Sequence, residues 1–297
     1  MNDIICWWSG GVTSAVACKK SVDIFGVDRC RFIMIDTHNE HPDTYRFKKD
    51  CEKWYGKEIE TISFKDYDKF NEITCIEDVW FKHISLNTAT GAICSMTLKR
   101  LVREEWEKEN TYTYQVFGFE FDVKEFRRAM SMKLNHSKVR PIFPLLMVGL
   151  SKKDCIEVVQ KEGIKPPKMY EYGFGNNNCF KTGCVQGGIG YWQKIKREFP
   201  DKYEYMANIE HKLTDIKGEP VTMLKDQSNA AKKEVKESGL KWKQFVFLKH
   251  NPKYPELKDI SQMKGREPEP LVDCNGFCGV NDLIDRSRVE KEINYNY

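Results

Sequence analysis

A run of six residues, Ser9-Gly-Gly-Val-Thr-Ser14, constrains this chain most tightly, because it lies between the apolar Ile4-Ile5-Cys6-Trp7-Trp8 and Ala15-Val16-Ala17-Cys18. That order predicts a strand, a glycine loop and a helix. Two glycines let the backbone turn with its N–H groups inward, and the positive N-terminal end of the following helix adds to them, so the loop is a natural anion cradle. Ser9, Thr13 and Ser14 add hydroxyl groups. Gly-Gly turns after strands also occur with no ligand, so the rest of the chain has to decide.

Cys30–Asp36 is a continuous apolar run of the kind a buried parallel strand shows. It ends in the polar loop Asp36-Thr-His-Asn-Glu-His-Pro-Asp-Thr44. In an open α/β sheet ligands gather at the carboxyl ends of strands, which sets this loop beside the glycine loop. Pro42 and Asp43 start a helix through about Tyr55. Residues 58–64 read as a third strand, 67–74 as a helix and 76–93 as irregular chain. Cys94-Ser-Met-Thr-Leu-Lys-Arg100 then leads into a charged helix ending near Glu109, with Ser95 as its cap and Lys99 and Arg100 one turn in, close enough to face an anion. Residues 114–119 form a fourth strand that runs into Glu120, Asp122, Glu125, Arg127 and Arg128. Prolines extend 139–146, and Ser151 caps a helix through Asp154 that stops at Gly163.

Beyond Tyr191 the pattern is helical to about Lys217, broken by Pro200, with Trp192, Phe199, Tyr203 and Met206 as a buried stripe. Residues 227–239 read as a polar helix or mobile segment, 244–249 as a short added strand, and 253–270 as a loose arm delivering Cys274-Asn-Gly-Phe-Cys278. The expected architecture is α/β: an open, mostly parallel sheet with flanking helices over residues 1–190, a helical C-terminal extension over 191–252, and a proline- and charge-rich arm over 253–297.

No apolar run approaches the roughly 20 residues of a membrane span, and no basic leader precedes the first strand, so a cytoplasmic chain with no membrane partner is expected. Its 11 cysteines are then expected to be reduced. Cys6, Cys18, Cys30, Cys51, Cys75 and Cys155 lie singly within elements and read as core thiols. Cys94, Cys179, Cys184, Cys274 and Cys278 sit beside Gly, Asn or Ser, and Cys179 and Cys184 bracket a Gly-containing turn that lets both sulfurs face one metal. A net charge of +4 argues neither for nor against a nucleic-acid partner.

In this order the motifs resemble those of the phosphoadenosine phosphosulfate (PAPS) reductase family within the PP-loop, or adenine nucleotide alpha hydrolase-like, superfamily. Ser9–Ser14 is similar to the family's Ser-Gly-Gly-x-x-Ser loop, Asp36–Thr44 to its Asp-Thr-Gly-x-x-x-Pro-Glu-Thr segment, and Cys94–Lys99 to its Cys-x-x-x-x-Lys segment. Gly118, Pro144-Leu145, Asp154, Tyr170, Gly173, Cys179 and Cys184 continue the series. The resemblance implies a parallel sheet that binds an adenine nucleotide, either PAPS or ATP with magnesium. Ser9, Gly10, Gly11, Val12, Thr13 and Ser14 would hold its phosphate or sulfate end, Asp36 and Thr37 would lie beside the adenosine, and Gly118 would mark the next strand end. Lys99 would be a catalytic cation. Val12-Thr13 replaces a Lys-Asp pair, and Glu120 stands where the family has arginine, so Arg100, Arg127, Arg128 and Arg140 are the candidates for the missing charge.

Two chemistries follow from the resemblance. Reductases attack the sulfur of a sulfonucleotide with a tail cysteine, here Cys278, and use a thiol reductant protein. ATP-using members cleave ATP between the α and β phosphates and adenylate or thiolate an acceptor. With a nucleic acid as acceptor, Lys232-Lys233 and residues 241–243 would touch its phosphates. The cysteines divide likewise. Cys94, Cys179 and Cys184 would hold a 4Fe-4S cluster, with the fourth ligand coming from the tail, at Cys274, or left open for sulfur; alternatively Cys179, Cys184, Cys274 and Cys278 would bind structural zinc, or no metal is held. A nucleotide-binding regulatory module that lost catalysis is the alternative from another class.

Overall fold

The computed structural model describes residues 3–88 and 91–271, so Cys274 and Cys278 lie outside the described residues. Five strands, β1 (Ile4–Trp7), β2 (Cys30–Asp36), β3 (Ile59–Ser63), β4 (Tyr114–Val116) and β5 (Pro141–Ile142), form one sheet in the order β3-β2-β1-β4-β5, with every neighbouring pair parallel. Alternation along β1 explains its unbroken apolar sequence. Ile4, Cys6 and Trp8 enter one core with residues of α1 (Val12–Phe25) and α2 (Asp43–Tyr55), while Ile5 and Trp7 enter a second with Ile33, Trp106 and Phe117. The expected α/β sheet with flanking helices is what the chain forms.

Several local expectations are corrected. Residues 67–74 are not an α-helix; that stretch holds a 3-10 turn at Asp68–Phe70, and the helix is α3 (Ile76–His83). The reason is a cap: the Asp78 carboxylate accepts from the N–H groups of Thr74 (2.7 Å) and Cys75 (3.2 Å). Ser95 is not a cap either. It has helical angles within a turn, Ile93–Ser95, that passes through a π-helical stretch, Met96–Arg100, into α4 (Leu101–Glu109). Asp122 caps α5 (Val123–Asn135), and Ser151 with Asp154 forms the capping box of α6 (Lys152–Lys161).

After the sheet come α7 (Ile189–Glu198), α8 (Pro200–Lys217), α9 (Asn229–Ser238) and a small sheet of β6 (Leu224–Lys225), β7 (Phe245–Phe247) and β8 (Lys258–Asp259), with β7 in the middle. Trp192, Tyr203 and Met206 are buried, and they share one core with Cys94, Leu98, Trp80 and Cys184. Glu210 of α8 is fully buried and accepts from the backbone N–H groups of Met223 (2.8 Å) and Leu248 (2.7 Å), tying the helix to the small sheet. Its burial pushes the carboxyl pKa up to about 8.

The described part of the arm, residues 253–271, is docked rather than loose. The Gln193 side-chain amide donates to the carbonyls of Met263 (3.3 Å) and Lys264 (3.2 Å) and accepts from the Arg266 N–H (3.0 Å). Gly190 permits this approach, since a β-carbon there would lie 2.1 Å from the Glu267 carbonyl oxygen. No helix among the described residues is long and apolar enough to cross a membrane.

Candidate active site

The glycine loop leaves β1 at the carboxyl edge of the sheet. Gly10 has φ +87°, and a β-carbon on it would meet Thr44 Cγ2 at 2.8 Å, so both conformation and space require glycine. Asn177 clamps the loop by donating its amide to the Gly10 carbonyl (2.8 Å) and Thr44 Oγ1 (3.0 Å). Ser14 Oγ accepts from the Ser9 N–H (3.1 Å) and donates to the Gly11 carbonyl (2.9 Å). Helix α1 begins at Gly11 with no side-chain cap and no acidic residue in its first turn, which leaves its positive end uncompensated by charge. The Val12 N–H donates to the Tyr170 hydroxyl at 3.3 Å. Gly118 closes the back of the loop, since a β-carbon there would lie 2.6 Å from the Ser14 backbone.

These residues suit a nucleotide's anionic end. Beside them, Asn177 Oδ1 is buried with no hydrogen-bond partner among the described residues, an acceptor that a ligand hydroxyl or amine would satisfy.

Asp36 is committed to its own loop: Oδ1 accepts from the His38 N–H and Oδ2 from the Tyr45 hydroxyl, each at 2.7 Å. It positions the segment. Thr37, next along, donates to Glu40 Oε1 (3.0 Å) and lies 3.7 Å from Cys179 Sγ. Lys99 is buried with its Nζ 3.6 Å from the same Glu40 oxygen. The backbone N–H groups of Phe180 and Lys181 donate to the Asn39 carbonyl, which fastens the cysteine loop to this one.

Cys94, Cys179 and Cys184 come together with Lys99, Thr37 and Trp80 around one cavity of about 20 Å³. Each sulfur is on a buried residue, and the Trp80 indole N–H is buried without a partner among the described residues. Three thiols are a fitting donor set for zinc or an iron–sulfur cluster. Among the described residues no group of three or more His, Cys, Asp or Glu is arranged to hold a metal ion and the cavity has room for about one water; Cys274, the fourth expected ligand, lies outside those residues.

The arginine candidates are corrected by register. Pro141 pairs with Gln115, which pairs with Ile5, so Arg140 is level with Ile4 at the start of β1, five residues or about 16 Å along the strand from Ser9 of the glycine loop. It belongs to the opposite edge of the sheet. Arg100 is held by Glu104 (3.0 Å), and Arg128 bonds both oxygens of Glu125 (2.6 Å each). Glu120 pairs with Lys152 at 3.3 Å. Among the described residues lining the cysteine cavity, Lys99 is the cation. Sequence reading missed Glu40 and the clamping role of Asn177. The run Asn176-Asn-Asn178 was the available signal, because consecutive amides in a loop are either solvated or, as here, buried on specific partners.

No family model matches the chain, and no curated protein matches it. Among solved structures, it is similar to phosphoadenylyl-sulfate (PAPS) reductase from Candida auris in its phosphate complex, at 14% identity over 61% of this chain and 83% of that one, with a TM-score of 0.42. It is also similar to the U34-tRNA thiolase NcsA from Methanococcus maripaludis with its [4Fe-4S] cluster, at 14% identity over 71% of each chain, with a TM-score of 0.33.

Proposed function

We propose that the chain is an enzyme that binds an adenine nucleotide at the carboxyl edge of its sheet and performs sulfur or adenylyl transfer there. The observation that carries this reading is the gathering of Cys94, Cys179, Cys184 and Lys99 around one cavity lined also by Thr37, in the loop that neighbours the glycine loop. Three buried thiols beside a lysine support a reacting site over one that only binds a nucleotide. The Ser9–Ser14 backbone and α1 hold the phosphate or sulfate end, and Lys99 offsets negative charge that develops in the reaction.

With PAPS as substrate, a cysteine thiolate attacks the sulfate sulfur and displaces adenosine bisphosphate. The S-sulfonate left on cysteine is then resolved by a second thiol to sulfite and a disulfide. Cys278 is the nucleophile this reading assigns, with a thiol reductant protein restoring the dithiol. With ATP as substrate, attack by an acceptor at the α phosphate releases pyrophosphate and leaves the acceptor adenylated for sulfur delivery. The buried cysteine trio favours this second reading, since it puts sulfur within the fold itself. No step is routed through a metal.

The deciding experiment incubates the full chain separately with ATP plus magnesium and with PAPS plus a thiol reductant, and assays pyrophosphate and sulfite. Sulfite that disappears with Cys278→Ser supports reduction. Pyrophosphate alone supports the ATP reading, and nucleotide binding with neither product replaces both with a regulatory module.

A further inference from the structure

The charge of this chain is concentrated. The stretch from Leu224 to Gln262, which holds β6, α9, β7 and β8, carries nine lysines against five carboxylates, a surplus that equals the +4 of the whole chain. The remainder is neutral. Within the module Lys232, Lys236 and Lys241 are exposed and have no carboxylate at ion-pair distance among the described residues, whereas Lys233 and Lys243 pair weakly with Glu237 (3.6 Å) and Glu234 (3.9 Å). Lys232 and Lys236 stand four apart on one face of α9, where like charges repel. That helix buries Ala231 alone, so it serves the core little and presents its basic face outward.

Aromatic rings are set among these lysines. Trp242 is half-buried, with the Lys243 ammonium 5.0 Å from its ring and Tyr254 packed edge-on at 6.2 Å. Lys225 lies 5.5 Å from the Phe245 ring. Phosphate-binding lysines interleaved with rings for base stacking are what an unpaired nucleic-acid strand requires. The surface also leads toward the proposed site. A cleft of about 250 Å³ is lined by Lys225, Gln227, Arg266, Gly188 and Gln186, and Gln186 also lines the cysteine cavity.

We infer that the module of β6, α9, β7 and β8 is a docking surface for single-stranded nucleic acid, held through backbone phosphates by Lys225, Lys232, Lys236 and Lys241 and stacked on Trp242. This goes beyond the nucleotide chemistry and does not depend on it.

Fluorescence anisotropy tests it, with the full chain, labelled single-stranded RNA and DNA, and no mononucleotide, between about 50 and 200 mM salt. Binding of either polymer that weakens steeply with salt is expected. Lys232→Ala/Lys236→Ala/Lys241→Ala should weaken it at least tenfold and flatten the log–log salt slope by about 2, at about 0.7 per phosphate contact. Trp242→Ala should weaken it about tenfold with the slope unchanged. Circular dichroism melts verify that the variants fold. The inference is overturned if neither polymer binds at low salt, or if the triple lysine variant binds as well as the parent. It is equally overturned if Lys133→Ala/Lys138→Ala/Lys161→Ala, outside the module, loses as much. An acidic peptide that competes as well as the oligonucleotide would assign the surface to a protein instead. Because nucleotide turnover is not read, failure here leaves the proposed reaction intact, and loss of that reaction leaves this binding intact.

Discussion

On the glycine-loop side of Thr37 the site is made of backbone. Gly10 and Gly118 let chain segments approach more closely than any side chain permits, and the supporting core is that of β1, α1 and α2. On the cysteine side the site is made of side chains from several stretches: Thr37, Trp80 of α3, Cys94 to Lys99, and Cys179 to Gln186. The core beneath it reaches into α7, α8 and the small sheet. One side tolerates no added atom, while the other depends on partners distant in sequence keeping their places.

Gly118→Ala strikes the backbone-made side hardest. A methyl 2.6 Å from the Ser14 backbone must push α1 away from β4, and overpacking of this kind costs about 3 kcal/mol. Urea unfolding that shows no loss would break the claim that close approach shapes the loop. On the cysteine side, Lys99→Ala should reduce product formation about 100-fold, the effect of removing one charge-stabilising donor. Nucleotide affinity should change little, because the proposed function has the phosphate held by the other half. Equal losses in turnover and affinity, measured by single-turnover kinetics and calorimetric titration, would merge the two halves into one.

Glu210→Gln tests the extension that backs the cysteines. The amide keeps one acceptor but turns an NH₂ toward the Met223 or Leu248 N–H, at a cost of about 2 kcal/mol. The same residue sets a pH dependence. Its native pKa, pushed by burial from 4.5 up to about 8, means the folded state binds more protons than the unfolded one between those values. The contribution is complete below pH 4.5 and is lost as pH rises through 8, with a slope approaching about 1.4 kcal/mol per unit. Denaturation midpoints across that range should fall in the parent and flatten in Glu210→Gln. The smallest effect belongs to Tyr170→Phe, which removes the acceptor of the Val12 N–H. About 1 kcal/mol of stability and a few-fold in nucleotide affinity should be lost, and an unchanged affinity would separate Tyr170 from the cradle.

What the sequence determined by itself is whatever depends on near neighbours in the chain. Gly10-Gly11 after an apolar run specifies strand, loop and helix; Pro42-Asp43 starts α2, and Ser151 with Asp154 starts α6. Each signal is a conformational preference or a cap acting over a few residues, so the carboxyl-edge loops were legible along with the α/β sheet. Tertiary structure alone decided the rest. Glu40 meets Lys99 across 59 residues, Asn177 reaches Gly10 across 167, and Gln193 binds the arm more than 70 residues away. Arg140 was a candidate for the charge that the family resemblance left missing at Glu120, and strand register puts it at the far edge. The difference is physical. A turn or a cap is satisfied by its own backbone, whereas a buried amide, carboxylate or ammonium is satisfied only by the partner that folding brings to it.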